Sequence, residues 1–513
     1  MLMSAADYRD SLNRYSPRVF VNGERVEKVS TDPRLAPGIN AVGITYDFAL
    51  DPAHERLMTA RQATSGKIVN RMLHVDTTAE DLLAKLEAIR LVCRESGCAQ
   101  RYLGHDALAG LYQATKRADD AFGGEYHARL EAYMHRVQDE DLTLGIAMTD
   151  AKGDRSKRPG GQANRDVYVH ISERRADGIV IRGTKAIVTG AAYMHELLVM
   201  PSRTHSRDDA ACAVACAVPV DAAGITIVSR PAGRPGERGA IFSGKYGQAT
   251  AVVMFDDVFV PWERVFLAGE TEEAGYLTTS YATHHRHSCI GARAGFGDLL
   301  IGAGALMSEA NGLDPDKVQH IRDSLIELIT ITEGFFACGV AASVYGAKDA
   351  SGVMMPDAVF SNIGKLLLAT KIYDMHRIAH YVSGGLIVAL PGPDEDHNPE
   401  TKASLSAVLA GRPDIPAAKR LEVARLIEDL TASKEGGWYS VISLHGGGSP
   451  EAMKREIWRN YPVLEKRELV ERLLNRGLLD DGSPKAGEPG RCCATGCETD
   501  APAVAQALKP AAE

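Results

Sequence analysis

Two short polar stretches contain the residue types best suited to holding an anionic, planar cofactor. Residues 147–156 (AMTDAKGDRS) combine a glycine, free backbone amide donors and two basic side chains. Residues 182–190 (RGTKAIVTG) are predicted to make a tight turn at Gly-Thr-Lys and then to present the hydroxyl of Thr189. Amides and guanidiniums bind phosphates, and glycine lets the backbone approach a ligand closely. We expect the two stretches to hold such a cofactor at the edge of a small sheet.

The composition excludes several other classes of function. The chain has 513 residues, of which 45% are hydrophobic and 24% charged, as in ordinary soluble globular proteins. Its net charge of −9 and its lack of a basic block argue against a nucleic-acid-binding face. The N-terminus lacks the apolar core of a signal peptide, and no uncharged apolar stretch of about 20 residues occurs. We therefore expect a cytoplasmic protein that does not span a membrane.

The cysteines do not form a pattern typical of a secreted, disulfide-linked domain. All nine are scattered, which favours a reducing compartment. Three of them, Cys492, Cys493 and Cys497, lie in a Gly-, Pro- and Ala-rich tail that we predict to be disordered. A metal site in the tail is disfavoured because no histidine or second cysteine pair accompanies them.

Hydrophobic periodicity divides the chain into three folded regions and the tail. Residues 1–141 are predicted to form an N-terminal helical domain. Residues 142–270 contain short apolar runs separated by Gly, Pro or Asp, which predict an antiparallel β-barrel or sandwich. Residues 271–480 are predicted to be a helical bundle, followed by the disordered tail of residues 481–513.

Local signals define the first elements more closely. Residues 20–26 (FVNGERV) predict a small hairpin with Asn-Gly as its turn. Residues 77–80 (TTAE) predict a capping box that opens an amphipathic helix. Further helices are predicted from about residue 106 and over residues 125–137.

Five motifs in a fixed order resemble the flavoprotein group that contains 4-hydroxyphenylacetate 3-monooxygenase and 4-hydroxybutyryl-CoA dehydratase. The likeness extends from about residue 5 to residue 475. Each motif alone would be weak, but their shared order makes the resemblance specific. The motifs are residues 148–156 (MTDAKGDRS), 177–185 (DGIVIRGTK), 260–266 (VPWERVF), 384–386 (GGL) and 445–452 (HGGGSPEA).

The resemblance implies a fold and a cofactor. The fold would be α+β, mostly α and acyl-CoA-dehydrogenase-like, with N-terminal helices, a middle β-domain and a C-terminal four-helix bundle. Such proteins are usually homotetramers, and a homodimer is the other expected assembly. FAD would lie between the β-domain and the bundle. The positions that match flavin-binding residues are Thr149, Lys152, Gly153, Asp154, Arg155, Lys185, Thr189, Gly446, Gly447, Gly448 and Ser449.

The dehydratases of this group couple FAD to a 4Fe–4S cluster held by three cysteines and one histidine. Cys98 and His285 stand at two of the four matching positions, whereas Tyr102 and Ala292 stand at the other two. Tyrosine and alanine cannot replace thiolates in such a cluster. The cluster and the dehydratase activity are therefore disfavoured, and no metal ligand is assigned.

A rearranged set of Cys93, Cys98, His285 and Cys289 is also disfavoured. His285 and Cys289 share a helical face at a spacing of four residues. Cys93, however, lies five residues before Cys98 and would face elsewhere on a continuing helix. A small buried hydrophobic role is the simpler interpretation of Cys93.

The monooxygenases of the group use reduced FAD, supplied by a separate NAD(P)H–flavin reductase, and oxygen to hydroxylate a phenol. Their substrate-binding histidine matches Ile146 here, and their exact Arg–Tyr pair is not reproduced. The catalytic candidates that remain are His285, Tyr102, Arg101 and His105. The ordinary pKa of histidine, near 6.5, makes His285 a candidate base at neutral pH. A solvated helix end is the alternative interpretation of the segment 283–287 (THHRH).

The sequence thus favours a two-component, FAD-dependent monooxygenase acting on a small aromatic or heteroaromatic compound. The second hypothesis is a CoA-thioester dehydratase or isomerase with a lost or rebuilt cluster. The third is a catalytically reduced paralogue that serves as a binding subunit.

Overall fold

The computed structural model describes residues 2–475. The predicted tail of residues 481–513, with its three cysteines, lies outside the described residues. Contacts between residues group the chain into one unit that ends at Asn460 and a second that begins at Tyr461. The described part of the second unit contains the helix Val463–Asn475.

Helices flank a central group of strands. The longest helix has 40 residues and the next longest 26. The helices are α1 (Ala5–Ser11), α2 (Ala36–Leu50), α3 (Glu55–Met58), α4 (Ala79–Ser96), α5 (Tyr102–Phe122), α6 (Tyr126–Asp139), α7 (Thr271–Ala310), α8 (Gln319–Val344), α9 (Ala358–Val382), α10 (Lys402–Val408), α11 (Ala417–Thr431), α12 (Lys434–His445), α13 (Pro450–Asn460) and α14 (Val463–Asn475).

The strands form two larger sheets and two short pairs. They are β1 (Val19–Val21), β2 (Glu24–Arg25), β3 (Thr59–Arg61), β4 (Ile68–Asn70), β5 (Leu144–Ala147), β6 (His170–Arg174), β7 (Gly178–Thr189), β8 (Glu196–Val199), β9 (Val214–Pro219), β10 (Ile225–Ser229), β11 (Thr250–Pro261), β12 (Val265–Ala268), β13 (Ala347–Lys348) and β14 (Met354–Met355). The six-stranded sheet has the order β2-β1-β10-β11-β7-β6, and the four-stranded sheet has the order β12-β9-β8-β5. Most neighbours are antiparallel, but β1 pairs in parallel with β10 and β5 with β8. The antiparallel pairing predicted for residues 142–270 thus holds for most of these strands, and the parallel pairing of β5 with β8 is an exception within them.

The predicted hairpin is confirmed. β1 and β2 pair antiparallel, and the two residues between them, Asn22 and Gly23, both have positive φ angles, of 53° and 85°. Two successive positive φ angles are the requirement of a type I′ turn. The capping box is shifted by one residue from its predicted place. Thr78 is the N-cap of α4, and Asp81 completes the box by accepting the amide of Thr78 at 3.2 Å.

The Gly-Thr-Lys sequence does not form the predicted tight turn. It lies inside β7, a strand of 12 residues that pairs with β11 on one side and β6 on the other. Gly183 has a φ of +130°, and a Cβ at this position would stand 2.2 Å from the carbonyl oxygen of Tyr168. The glycine is required because a neighbouring backbone approaches closely, rather than because the chain reverses.

Three clusters of buried apolar side chains stabilise the fold. One packs α1 and α2 against the sheets, and a second fills the bundle of α4, α7, α8, α9 and α11. The third lies between α5, α6 and the four-stranded sheet. Because α7 contributes to the second and third clusters, it connects the bundle to the β-region.

By length and composition, α7 and α8 could each cross a membrane. One or two such helices are a weak indication, since core helices of soluble proteins pass the same test. In α7, 61% of the apolar window is buried inside the protein. The helix packs against α4, α5, α8 and α9, so protein covers its apolar surface.

Arg101 connects the start of α5 to the chain just before β5. The residue is 1% exposed, and its guanidinium binds the carboxylate of Asp141. It also donates to the carbonyl oxygens of Asp141 at 3.0 Å and Leu142 at 3.2 Å, and it lies 3.9 Å from the ring centroid of Tyr46. These contacts give Arg101 a structural position, in contrast to the catalytic role expected from the sequence.

Breaking this buried ion pair should destabilise the protein strongly. We expect Asp141→Asn to lower the free energy of unfolding by about 3–5 kcal/mol, because the charge of Arg101 is left buried without its counter-ion. Urea denaturation provides the measurement. In the control, Asp120→Asn removes an exposed partner of Lys116 and should cost less than about 1 kcal/mol. Equally small losses in both variants would contradict the assignment.

Candidate active site

A cavity of about 440 Å³ lies where α7, α9 and α12 meet the start of α5 and the end of β7. Its wall combines apolar side chains with thiols, cations and an imidazole. The lining residues are Cys98, Tyr102, Leu103, Thr189, Gln248, His285, Cys289, Ala292, Arg293, Lys365, Leu368, Ile442, Ser443 and Gly446. Four of the predicted flavin-binding or catalytic residues, namely Tyr102, Thr189, His285 and Gly446, thus reach one space.

His285 is a charged group in this cavity. Its Nδ1 lies 3.1 Å from Oδ2 of Asp106, and its Nε2 lies 3.6 Å from Sγ of Cys289. Burial opposes the charged ring, but the negative charges of Cys289 and Asp106 outweigh burial and raise the pKa of His285 to about 10. At neutral pH this histidine is therefore a proton donor and a cation, in contrast to the base expected from its ordinary pKa.

The neighbouring histidines are buried and neutral. His284 lies 3.2 Å from Oε1 of Gln113, and His287 lies 2.8 Å from Oγ of Ser343. Burial lowers the pKa of both rings to about 3. The interpretation of this segment as a solvated helix end is wrong, because it lies in the middle of α7 with its side chains inside the protein.

His105 lies outside the cavity. The residue is fully buried, and its Nε2 is 3.3 Å from Oδ1 of Asp76. Asp76 also faces the ammonium group of Lys85 at 3.4 Å. These contacts form a buried polar cluster beneath α5. They account for the position of His105 without a contact to a ligand in the cavity.

Cys98 belongs to a chain of interacting thiol and hydroxyl groups. α4 ends at Ser96, so Cys93 and Cys98 do not lie on one continuing helix and their thiols share a hydrogen bond. That hydrogen bond and the charge of Arg293 lower the pKa of Cys98 to about 6. Its sulfur also lies 3.3 Å from the hydroxyl of Tyr102. The sequence argument that Cys93 faces elsewhere is therefore wrong.

Two buried cations complete the cavity wall. Nε of Arg293 donates to Oγ of Ser443 at 2.6 Å, while its Nη1 has no hydrogen-bond partner among the described residues. Nζ of Lys365 donates to the carbonyl of Ser443 at 2.7 Å, and burial lowers the pKa of Lys365 to about 8. Sequence analysis missed Lys365. Its helical spacing from Ser361, Leu368 and Ile372 could have predicted that Lys365 lies on the buried face of α9.

The backbone amides of the loop after β5 make more hydrogen bonds within the protein than the sequence suggested. Several of its backbone amides, expected to be free, bond within the protein instead. The donors and acceptors are Ala151 N with Thr184 O, Lys152 N with Val167 O, Asp154 N with Gln162 Oε1, and Ser156 N with Asp154 Oδ1. Gly153 has a φ of +51°, and a Cβ there would stand 2.5 Å from Oε1 of Gln162. The half-buried Thr149 accepts the amide of Ala186 at its carbonyl oxygen, at 2.8 Å.

Lys185 holds this loop in place. Its ammonium group is 2.7 Å from the carboxylate of Asp150 and donates to the carbonyl oxygens of Met148 and Met200, both at 2.8 Å. An ammonium group has three donors, and all three are engaged here. The structure therefore gives Lys185 a positioning role rather than the direct cofactor contact expected from the sequence.

A group of positive charges remains available beside the loop. Burial and the neighbouring charges of Arg155 and Arg203 lower the pKa of Lys152. A second cavity, of about 430 Å³, is lined in part by Arg158, Arg203 and His205 and also by Asp209, whose carboxylate accepts from Gly160 N and Ser206 Oγ. Both ring nitrogens of His205 are buried without a hydrogen-bond partner among the described residues. Like charges beside unpartnered polar atoms suit an anionic ligand, and sequence analysis missed Arg203 and His205.

The glycine-rich turn after α12 lies directly against α7. The carbonyl oxygen of Gly447 accepts Nε of Arg286 at 2.9 Å. A Cβ at Gly447 would stand 3.4 Å from both Arg286 Cγ and His285 Cδ2. Gly446 lines the cavity, and the exposed Gly448 and Ser449 continue the turn. Those distances are ordinary van der Waals contacts, and glycine is favoured at position 447 by its φ of 74°.

The four positions that match the iron–sulfur ligands of the dehydratases supply only two donors. Cys98 and His285 line the cavity beside Tyr102 and Ala292, which supply no thiolate. Within residues 2–475, no group of three or more His, Cys, Asp or Glu side chains is arranged to hold a metal ion.

Comparisons with known proteins assign the chain to a family. Two protein-family models, described as 4-hydroxyphenylacetate 3-hydroxylase N terminal and C terminal, match residues 4–267 and 274–475, respectively. The chain is 34% identical to the 4-hydroxybutyryl-CoA dehydratase/vinylacetyl-CoA-Δ-isomerase of Clostridium aminobutyricum, over 92% of this chain and 99% of that one. An oxygen-tolerant 4-hydroxybutyryl-CoA dehydratase from N. maritimus matches with a TM-score of 0.89 at 34% identity, covering 95% of this chain and 97% of that one. The oxygenase component of 4-hydroxyphenylacetate 3-monooxygenase, solved with FAD and 4-hydroxyphenylacetate, matches with a TM-score of 0.83 at 24% identity, covering 93% and 99%.

The chain therefore belongs to the 4-hydroxyphenylacetate 3-hydroxylase family, whose members include monooxygenases and a dehydratase. The resemblance inferred from the five motifs is confirmed. The predicted fold class, α+β, mostly α and acyl-CoA-dehydrogenase-like, is confirmed as well.

Glu435, which lies beside the cavity, makes the stability of the folded protein depend on pH. Its carboxylate lies behind the cavity residue Gln248, whose amide donates to it at 3.5 Å, and Arg230 donates at 3.3 Å. Burial outweighs the charge of Arg230 and raises the pKa of Glu435 to about 7. Between the ordinary glutamate pKa near 4.3 and pH 7, the folded protein therefore holds a proton that the unfolded chain releases.

Glu435→Gln should remove this dependence. As pH rises from 5 to 8, the wild-type protein loses the stability contributed by the protonated carboxyl group, whereas the variant has no group to ionise. We expect the free energy of unfolding of the variant, relative to wild type, to increase over this range. Denaturant unfolding at pH 5, 6, 7 and 8 measures it. A difference that stays constant with pH would contradict the raised pKa.

Proposed function

We propose that the protein is a flavin-dependent monooxygenase that uses reduced FAD and oxygen to hydroxylate a small aromatic or heteroaromatic compound with an acidic hydroxyl group. The observation that carries the proposal is the cavity of about 440 Å³, into which Arg293, Lys365 and the protonated His285 all project. Buried cations favour a substrate that binds as an anion, such as a phenolate.

The residues beside the cavity suit FAD. Thr189 and Gly446 would contact the cofactor where it borders the cavity. Lys152, Arg155 and Arg203 would bind its phosphates, since their clustered positive charges are relieved by an anion. Bound reduced FAD would supply the electrons that activate oxygen. The other matched positions, Thr149, Gly153, Asp154, Gly447, Gly448 and Ser449, remain proposed flavin-binding positions, while Lys185 would act by holding the loop after β5.

The side chains of the cavity would prepare the substrate. Lys365, with its pKa of about 8, is suited to accept the proton of a bound hydroxyl group and then to stabilise the anion as an ammonium ion. His285 and Arg293 add positive charge from α7. Tyr102 would donate its hydroxyl to the substrate oxygen or to Cys98, which lies 3.3 Å away. An ionised ring is richer in electrons and is therefore attacked more readily by activated oxygen.

Replacing Lys365 should impair hydroxylation selectively. We expect Lys365→Met to lower kcat/KM by about 10²–10⁴-fold, the usual contribution of a positioned base. In the wild type, activity should rise with pH through about 8, because only the neutral amine accepts a proton. The measurement is incorporation of ¹⁸O from ¹⁸O₂ into a panel of phenols, including 4-hydroxyphenylacetate, with an NADH–flavin reductase present.

The matched control is Lys371→Met on the same helix, which removes an exposed ammonium group paired with Asp374. This variant should retain wild-type activity. The function is contradicted if wild-type protein labels no phenol of the panel, and the role of Lys365 is contradicted if both lysine variants behave alike.

A CoA-thioester dehydratase or isomerase is the alternative, favoured by the 34% identity to the Clostridium aminobutyricum enzyme. The substitution of two cluster-ligand positions by Tyr102 and Ala292 disfavours it. Conversion of 4-hydroxybutyryl-CoA by the purified protein, without oxygen uptake, would establish the alternative. Failure to bind either oxidised or reduced FAD would instead indicate a binding paralogue.

The remaining expectations from the sequence belong to this proposal. A separate NAD(P)H–flavin reductase would supply the reduced cofactor, and the protein would act in the cytoplasm as a homotetramer or homodimer. We also propose three domains with boundaries near residues 141 and 270. The pairing of β1 with β10 adds residues 19–21 to the middle sheet.

A further inference from the structure

Cys289 and His285 line the cavity and form a row with Asp106, which is fully buried behind them. The oxygenation proposal gives no role to the thiol of Cys289. Sγ of Cys289 lies 3.6 Å from Nε2 of His285, and Nδ1 of the same ring lies 3.1 Å from Oδ2 of Asp106. Thiol, imidazole and carboxylate in this order are the arrangement of an activated cysteine nucleophile, in which the carboxylate orients the ring and the ring holds the thiolate.

The row is held rigidly. Oγ of Ser288 donates to Oδ1 of Asp106 at 2.6 Å, which leaves Oδ2 for the imidazole. The ring of His285 stacks on Tyr281 with a centroid distance of 5.4 Å and on Tyr102 with a distance of 6.2 Å. Two flanking rings and a fixed carboxylate therefore orient the imidazole towards the sulfur.

We propose that Cys289, with His285 and Asp106, is a nucleophilic thiol site that binds a conjugated carbonyl compound, such as an enone, by reversible covalent addition. The site lies in the cavity wall, so its ligand would enter the same space as the oxygenation substrate. The proposal concerns the thiol alone and does not depend on flavin chemistry.

The electrostatics of the cavity favour the thiolate. Burial by itself raises the pKa of a thiol, as it does for Cys216, to about 12. At Cys289, the charge and hydrogen bond of His285, with the charges of Lys365 and Arg293, outweigh burial and lower the pKa. The titratable or charged groups around the row are Lys85, Cys98, Tyr102, His105, Asp106, Tyr281, His285, Arg286, Arg293 and Lys365.

The addition is balanced without any oxidant or reductant. The Sγ electron pair forms a C–S bond to the β-carbon, and the electrons of the C=C bond move towards the carbonyl oxygen as an enolate. Arg293, whose Nη1 has no partner among the described residues, is available to stabilise the enolate oxygen. The α-carbon then takes the proton from Nε2 of His285. The product is a thioether, and the reverse steps release the carbonyl compound.

Labelling of the full-length protein with 2-cyclohexenone tests the proposal. Peptide mass spectrometry gives the rate of adduct formation at each cysteine of the folded protein. Dividing this rate by the rate at the same cysteine in urea-unfolded protein gives a normalised rate. At pH 7, we expect the normalised rate at Cys289 to exceed that at the partly exposed Cys338 by about tenfold or more, because an ordinary thiol is only a few per cent ionised. An equal or slower rate at Cys289 would overturn the proposal.

Two variants test the partners of the thiol. His285→Gln and Asp106→Asn should each slow addition at Cys289 by about tenfold, because the thiolate loses its counter-ion or the ring loses its orientation. Cys98 lines the same cavity without contacting this imidazole and is the internal control, so its rate should change less than twofold. Circular dichroism establishes whether each variant is folded, and one folded variant is sufficient for the test. An unchanged rate of addition at Cys289 in a folded variant would contradict the proposal that His285 and Asp106 activate the thiol.

Discussion

The close contact between α4 and α7 is the constraint on which the site depends. A Cβ at Gly291 would stand 2.6 Å from a carbonyl oxygen of α4, and a Cβ at Gly295 would stand 2.5 Å from another. Only glycine at these positions allows the two backbones to pack so closely. The contact fixes the end of α4 against the middle of α7, and it thereby places Cys98 beside Arg293. A cavity wall made from two distant segments follows from this packing.

The same packing determines the charges of the site. Three histidines lie within four residues of one helix, yet burial keeps His284 and His287 neutral, whereas Asp106 and Cys289 keep His285 protonated. In a low-dielectric interior, the partner of each ring decides its protonation state. A single helix can therefore combine inert, hydrogen-bonded imidazoles with one charged group. Both the proposed anion site and the proposed thiol nucleophile depend on that difference.

Binding and positioning roles are divided among the residues near the proposed flavin. Lys185 uses all of its donors to hold the loop after β5, whereas Lys152, Arg155 and Arg203 are proposed to meet an anion. Arg101 likewise serves the fold through Asp141. A buried cation bound to a buried carboxylate, as Lys185 and Arg101 are, stabilises the structure, while cations held near like charges are suited to ligands.

The sequence by itself determined the family, the fold class and the hairpin with Asn-Gly as its turn, because ordered motifs, hydrophobic periodicity and turn chemistry are local properties. It also identified His285 and Tyr102, which both reach the cavity. Only the tertiary structure decided that His285 is an acid, that Lys365 faces the same space and that Cys93 touches Cys98. Protonation and contact depend on burial and on neighbours far apart in the chain, and the packing of α7 brings those neighbours together.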